Sequence, residues 1–214
     1  MKKIFKIILG ILGLVLVGIA VLAISFNISM KPDKEKEREI RALAEQYLEE
    51  NFNDNFEIYD TLFDNMGNFE FEYAAKGRDK GNQTEFLVYR DSETNEMIDT
   101  YVADKWADDL EKEIRSYITD RLGEKADYYV FFPDEIGNEL GIDPNKVESY
   151  KDYDVAATIR ITLPREKNKN DDTLFNEFVT YIVNYEKLQQ GTVTVGYIAE
   201  NGVILEEEEW SKDF

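Results

Sequence analysis

The side chains of this sequence that could do chemistry are almost all carboxylates. The chain has 45 Asp and Glu against 25 Lys and Arg, and it contains no Cys and no His. These absences exclude Ser-His-Asp and Cys-His catalysis, zinc ribbons and a disulfide framework. What remains is hydrolysis by two carboxylates a few ångströms apart, which needs a sizeable cleft, or the binding of a cation by oxygen ligands.

Two turns have part of the ligand spacing of a calcium loop. Asp91, Glu93 and Asn95 occupy the first, third and fifth places, but the sixth place lacks glycine and the twelfth lacks a bidentate Glu. Asp143 and Asn145 fail in the same way. Turns rich in Asp and Asn have this spacing by default. We therefore assign no catalytic, cofactor-binding or metal-binding residue from the sequence, and we expect no cofactor.

Two further clusters have an ordinary and a functional interpretation. The four glutamates 206–209, which precede Trp210, are either solvated or a contact for a basic partner, and we favour the first. Trp106 and the aromatic run 128–132 either pack in the core or line an apolar groove. Because Trp106 falls on a helical stripe and the run is apolar on both faces, we expect core packing and a central strand.

The position of this acidic chain is indicated by its N-terminus. Residues 7–24 are eighteen consecutive apolar or glycine residues, preceded by Lys2, Lys3 and Lys6. As a helix they would span about 27 Å, close to the hydrocarbon thickness of a bilayer. The alternative, a cleaved signal peptide, has a shorter apolar region. We predict an uncleaved single-pass anchor with a cytoplasmic N-terminus and an extracytoplasmic domain, since a short basic tail resists translocation.

The charge of the domain limits its partners. Residues 1–30 carry three Lys and no acid, so the remainder has a net charge of −23 against −20 for the whole chain. Such a surface repels phosphate backbones, which excludes nucleic acid. It steers cations and basic proteins or peptides towards the domain.

The hydrophobic periods predict an α+β fold in which helices pack on antiparallel meanders, in one unit or two small subdomains. Residues 1–30 form the tail and anchor. Residues 31–123 would contain a helix to about residue 52, strands at 56–63, 69–76, 85–90 and 97–103, and a helix ended by Gly123. Residues 124–214 would contain strands at 127–132 and 153–163, a short helix before Gly141, a helix at 174–188 capped by Gly191, and a C-terminal hairpin around Asn201-Gly202.

Three stretches of the first half resemble a known group of proteins. They are residues 43–50 followed by 56–58, and residues 97–101 leading into Trp106 and the helix 110–114. Together with the anchor, they resemble uncharacterised membrane-anchored proteins of Gram-positive bacteria, of the YfjL-like kind, over residues 1–122. The resemblance implies a bacterial cell membrane and a domain that faces the wall, and it transfers no catalytic or binding residue.

These observations lead to one main hypothesis about function and two alternatives. The main one is a non-enzymatic module that binds a protein or peptide, which a contiguous apolar patch or an unprotected sheet edge would support. The first alternative is a carboxylate-based domain, either cation-binding or hydrolytic, which requires a concave pocket with acids whose pKa values are raised. The second is a solvated spacer, which only the high net negative charge of the domain supports.

Overall fold

The computed structural model describes residues 19, 21–22, 25–26 and 30–214. Most of the predicted anchor 7–24 lies outside the described residues, as does the basic tail. Among the described residues, no helix is both long and apolar enough to cross a bilayer.

The first half of the chain forms an antiparallel sheet covered by one helix. Helix α1 begins where the Asp33 carboxylate accepts the N–H of Glu35 at 2.8 Å, and its buried Ile40, Ala44 and Leu48 face the sheet. The elements are α1 (Lys34–Asn51), β1 (Phe56–Phe63), β2 (Tyr73–Asp79), β3 (Glu85–Arg90) and β4 (Met97–Asp99), and the strand order is β1-β2-β3-β4. The predicted meander is confirmed, although β2 begins later than expected and a helix that begins at Tyr101 replaces the end of the fourth strand.

The second half forms a mixed sheet with the order β5-β6-β7-β8. Its elements are α2 (Tyr101–Arg121), β5 (Asp127–Phe131), α3 (Ile136–Leu140), β6 (Ala156–Leu163), α4 (Asp171–Tyr181), a π-helical turn (Ile182–Glu186), β7 (Gln190–Tyr197) and β8 (Trp210–Asp213). Strands β6 and β7 are parallel, because α4 carries the chain back across the sheet between them. The α+β class is thus confirmed, with four helices and two four-stranded sheets in residues 30–214. The prediction of antiparallel meanders throughout is wrong for this sheet.

The C-terminal hairpin also differs from the prediction. Gly202 adopts the positive φ, +83°, that the expected turn requires. The segments on either side of the turn, however, are joined by an isolated β-bridge between Ile198 and Ile204 rather than by a pair of strands. Residues 206–208 form a 3-10 helix, and the returning strand is β8. Gly191 lies in β7, whereas Lys187, at φ +62°, ends the helical segment after α4.

Helix α2 connects the two cores. Tyr101 at its start packs in the core of the first sheet, whereas the stripe of Trp106, Leu110, Ile114 and Ile118 is buried in the core of the second. The sequence assigned this helix to the first predicted subdomain, residues 31–123. The predicted boundary between the two subdomains, after residue 123, stays a prediction.

One edge strand of each sheet, β1 in the first and β5 in the second, carries a contact that hinders strand addition. At the β1 edge the Arg41 guanidinium donates to the backbone oxygen of Ile58 at 3.3 Å, beside an irregularity in the β1–β2 register. Strand β5 is an edge strand, so the prediction of a central strand is wrong: its apolar outer face leaves Tyr129 and Phe131 exposed. The Glu111 carboxylate accepts the N–H of Val130 in β5 at 3.0 Å. Such contacts hinder the addition of a further strand.

Candidate functional site

A concave cavity of about 450 Å³ lies where loops from the two sheets meet. One wall is the loop that precedes β2, and the other is the segment that leaves β5 and continues into α3. The lining residues are Asn68, Phe69, Glu70, Phe71, Tyr89, Pro133, Asp134, Glu135 and Glu139. We call this cavity the acidic pocket, because four of these nine residues are carboxylates.

Local contacts hold both walls in place. The buried Asp64 carboxylate accepts the N–H of Phe69 at 2.8 Å and that of Met66 at 3.0 Å, which fixes the loop of the first wall. On the second wall, Gly137 of α3 lies so close to α2 that a Cβ there would be 2.7 Å from Cγ2 of Val102. A glycine is therefore required for α3 to bring its acidic residues against the first sheet.

Within the part of the chain that the structure describes, the carboxylates of the pocket have no cationic partner. Among residues 30–214, none of the ion pairs involves Glu70, Asp134, Glu135 or Glu139, and none involves the neighbouring Asp91. Several like charges therefore converge on one concavity without compensation. This arrangement costs stability unless a positively charged group enters.

The pKa values of the pocket residues reflect this concentration of charge. Loss of hydration raises the pKa of Asp134, and Glu70 raises it further. Burial also raises the pKa of Glu135, and Asp91 and Glu70 add to the effect. Burial and then the charge of Asp134 raise the pKa of Tyr89. Every charge that contributes to these shifts is a carboxylate.

A second layer of acidic residues lies behind the pocket, at the start of α2. Burial raises the pKa of Asp104 to about 7, and Asp134 is the strongest of the nearby charges that add to this shift. A hydrogen bond of 2.5 Å from the Thr100 hydroxyl to Asp104 opposes it. Burial also raises the pKa of Asp99, which accepts the Tyr47 hydroxyl at 2.8 Å. Asp104 therefore changes its ionisation near neutral pH.

Aromatic rings supply the rest of the pocket surface. The rings of Phe69 and Phe71 are nearly parallel with centroids 5.0 Å apart, and Tyr89 packs against Phe71 at 4.6 Å. The face of an aromatic ring attracts ammonium and guanidinium groups. Carboxylates beside such faces suit the end of a Lys or Arg side chain, whose stem is apolar and whose head is charged.

A second cluster of acidic residues, by contrast, contains its own cation. The buried Glu186 carboxylate, in the π-helical turn, accepts Lys151 Nζ at 2.9 Å and the Tyr181 hydroxyl at 2.7 Å. Burial raises the pKa of Glu113, and the neighbouring Glu186 raises it further. The pKa of Glu186 is lowered: burial opposes its ionisation, but the hydrogen bonds from Glu113, Lys151 and Tyr181 outweigh this effect. Because its charges are paired, we interpret this cluster as structural.

In the two candidate calcium turns, the Asp carboxylates accept hydrogen bonds from other residues of the same turn. Asp91 accepts the N–H and hydroxyl of Thr94, both at 2.6 Å, and Asp143 accepts the N–H of Asn145 at 2.9 Å. In the described part of the chain, no group of three or more Asp or Glu side chains is arranged to hold a metal ion.

The remaining sequence candidates also have structural contacts. Trp106 is fully buried and donates its indole N–H to the backbone oxygen of Glu148 at 2.8 Å, as core packing predicts. Glu208, in the glutamate run, accepts the N–H of Lys167 at 3.0 Å. The structure does not bring these residues into the acidic pocket.

Sequence reasoning missed the residues of the acidic pocket. In the sequence, Glu70 falls on the polar face of a predicted alternating strand, and Glu135 falls within a predicted short helix. The only local signal is Pro133-Asp134-Glu135 directly after an aromatic strand. Comparisons of this chain with protein-family models, with curated proteins and with solved structures found no match, so the resemblance described above stays a prediction.

Proposed function

We propose that this chain is a membrane-anchored, single-pass module of a bacterial cell membrane that binds a basic segment of a partner protein or peptide and carries out no reaction of its own. The unpaired carboxylates beside the aromatic faces of Phe69 and Phe71 carry the proposal. A Lys or Arg side chain would supply the missing cation and cover the rings at the same time. The contacts at the edges of β1 and β5 disfavour strand addition at those two edges.

The binding test compares two variants with the same change in net charge. In the pocket variant Glu70→Gln is combined with Asp134→Asn. In the control variant Glu206→Gln is combined with Glu207→Gln, both of which are exposed and do not line the pocket. The probe is a short peptide rich in Lys and free of Arg, and its Lys-acetylated form, in which the side-chain charges are removed, serves as the uncharged comparison. Calorimetric titration of the full chain in detergent measures the affinities.

We expect wild type and the control variant to bind the basic peptide alike and the acetylated peptide poorly. Each removed charge at a partly hydrated site is worth about 1 kcal/mol, so the pocket variant, which lacks two charges, should bind about thirtyfold more weakly. Equal affinities for the pocket and control variants would mean that net charge alone attracts the peptide, and the pocket would have no role.

The anchored, extracytoplasmic location rests on residues 7–24 and the basic tail. Protease added to intact cells whose wall has been removed should digest the domain and leave the cytoplasmic tail with the membrane. Recovery of the full-length chain from cytosol without detergent would contradict this location.

A second candidate function is a carboxylate-based site, cation-binding or hydrolytic. It is favoured by one observation, the raised pKa values of Asp104, Asp134 and Glu135 around one concavity. A calcium titration separates it from the main proposal. An increase in the melting temperature of wild type that the pocket variant lacks would favour cation binding.

A further inference from the structure

The loop between β1 and β2 exposes two large apolar side chains at its tip. Met66 is 74% exposed and Phe69 is 48% exposed. The other aromatic residue of this loop, Phe71, is buried. We call residues 64–69 the tip loop.

The tip loop is internally hydrogen-bonded through a single buried side chain. The two oxygens of the Asp64 carboxylate accept the N–H groups of Met66 and Phe69 and the side-chain amide of Asn68. The backbone N–H groups of both apolar residues therefore need no water. These two hydrogen bonds lower the cost of placing this part of the loop where water is scarce.

The tip loop lies beside the point where the chain enters the domain. The side-chain amide of Asn65 is 3.4 Å from the backbone oxygen of Met30 and 3.1 Å from its sulfur. The N–H of Asp33 is bonded to the Tyr73 hydroxyl at 2.8 Å, which ties the start of α1 to the other end of the same connection. The tip loop thus stays close to the segment that follows the predicted anchor.

A helical span from the predicted anchor would leave Met30 and the neighbouring tip loop just outside the lipid headgroup layer, where a long side chain can reach into it. Met30 follows residue 24 by six residues, which span about 9 Å in a helix and at most about 20 Å fully extended. The N–H of Met30 donates to the backbone oxygen of Phe26 at 3.0 Å, the bond of a helical turn. Each headgroup layer is about 5–8 Å thick.

We propose that the tip loop contacts the phospholipid bilayer through Met66, which is inserted between the headgroups. The inference rests on the anchored state proposed above and adds a second, loop-mediated contact with the lipid. Apolar and aromatic side chains are stable at this interface. The occupant is the uncharged lipid surface, because the domain as a whole is strongly acidic and anionic headgroups would repel it.

The absence of cysteine from the chain makes a clean test possible. Met66→Cys and, as a matched control, Val203→Cys each place one thiol at an exposed apolar position in a turn; Val203 is 53% exposed and lies in the turn after β7. Each full-length variant is labelled with an environment-sensitive fluorophore and reconstituted into phosphatidylcholine vesicles. Flotation with the vesicles is measured first, and circular dichroism checks the fold of both variants.

We expect the label at Met66 to show a blue-shifted emission, loss of quenching by aqueous iodide, and quenching by lipids that carry a spin label near the headgroup. The label at Val203 should remain accessible to iodide. If the chain floats with the vesicles and iodide quenches both labels equally, the loop contact is wrong while the anchor and the acidic pocket are unaffected. If the chain does not float, the proposed anchored state fails, and this inference fails with it.

Discussion

A substitution of Asp104 tests whether the negative charges of the acidic residues around the pocket lack a compensating positive charge. Its pKa is about 7, against the ordinary 3.8 of an aspartate, because it is buried and faces other carboxylates. At pH 8 the group is ionised in both the folded and the unfolded chain. A pKa difference of about 3 then corresponds to about 4 kcal/mol of lost stability.

The substitution Asp104→Asn should therefore stabilise the domain at pH 8. The amide keeps an oxygen that can accept the Thr100 hydroxyl, but it loses the favourable interaction of a negative charge with the first turn of α2, worth up to about 1 kcal/mol. The expected net gain is about 3 kcal/mol in the free energy of unfolding. For a domain of this size it corresponds to an increase of about 6–12 °C in melting temperature.

The sign of the pH dependence gives a second criterion. Between about pH 4 and pH 7 the folded chain holds the proton of Asp104 more tightly than the unfolded chain does. The destabilisation is therefore present above pH 7 and disappears as the pH falls through this window. At pH 4.5 the gain from Asp104→Asn should fall below about 1 kcal/mol.

Urea denaturation of the full chain in detergent micelles, followed by circular dichroism at pH 8 and pH 4.5, measures both quantities. Asp120→Asn, an exposed carboxylate on the last turn of the same helix, is the control, and it should change stability by no more than about 0.5 kcal/mol at either pH. Equal gains from Asp104→Asn at both pH values, or a loss of stability at pH 8, would refute the electrostatic explanation.

Three substitutions test the contacts that hold the domain together, each by urea denaturation. Lys151→Met leaves the buried Glu186 without its cation and should cost about 2–4 kcal/mol, whereas the same change at the exposed Lys112 should cost almost nothing. Gly137→Ala places a methyl group against α2 and should cost about 1–3 kcal/mol while weakening peptide binding. Asp171→Ala removes the acceptor of the Tyr197 hydroxyl at 2.9 Å and should cost about 3–5 kcal/mol; a smaller loss would mean that water replaces the carboxylate.

Much of the fold was predictable from the sequence because its helices and strands have strong periodic patterns. The stripe from Trp106 to Leu122 predicts α2, and Gly141 ends α3 in the left-handed conformation, at φ +62°, as expected for a C-terminal glycine. Alternation likewise predicts β3 and β6, since the apolar residues of a half-buried strand follow a period of two.

The errors concern properties that periodicity does not encode. Alternation in β6 and β7 gives their buried faces but not their direction, which α4 sets by crossing the sheet between them. Aromatic residues on both faces of β5 fit a central strand as well as an edge strand, and only the strand order shows that Tyr129 and Phe131 are exposed. The acidic pocket was unpredictable for a related reason. Its two walls belong to different loops, and only the packing of α3 on α2 joins them.

The raised pKa values of the pocket carboxylates connect the proposed binding to pH. A basic peptide binds the ionised carboxylates, whereas protons occupy the same groups as the pH falls, so peptide and protons compete. Peptide binding should therefore release protons, and the affinity should decrease as the pH is lowered and these carboxylates take up protons. Calorimetry in two buffers of different ionisation enthalpy measures this release. In the Glu70→Gln and Asp134→Asn double variant the release should be smaller, and in the control variant with Glu206→Gln and Glu207→Gln it should persist. An affinity that does not fall as the pH is lowered would show that peptide binding does not depend on these carboxylates, even if the peptide binds near them.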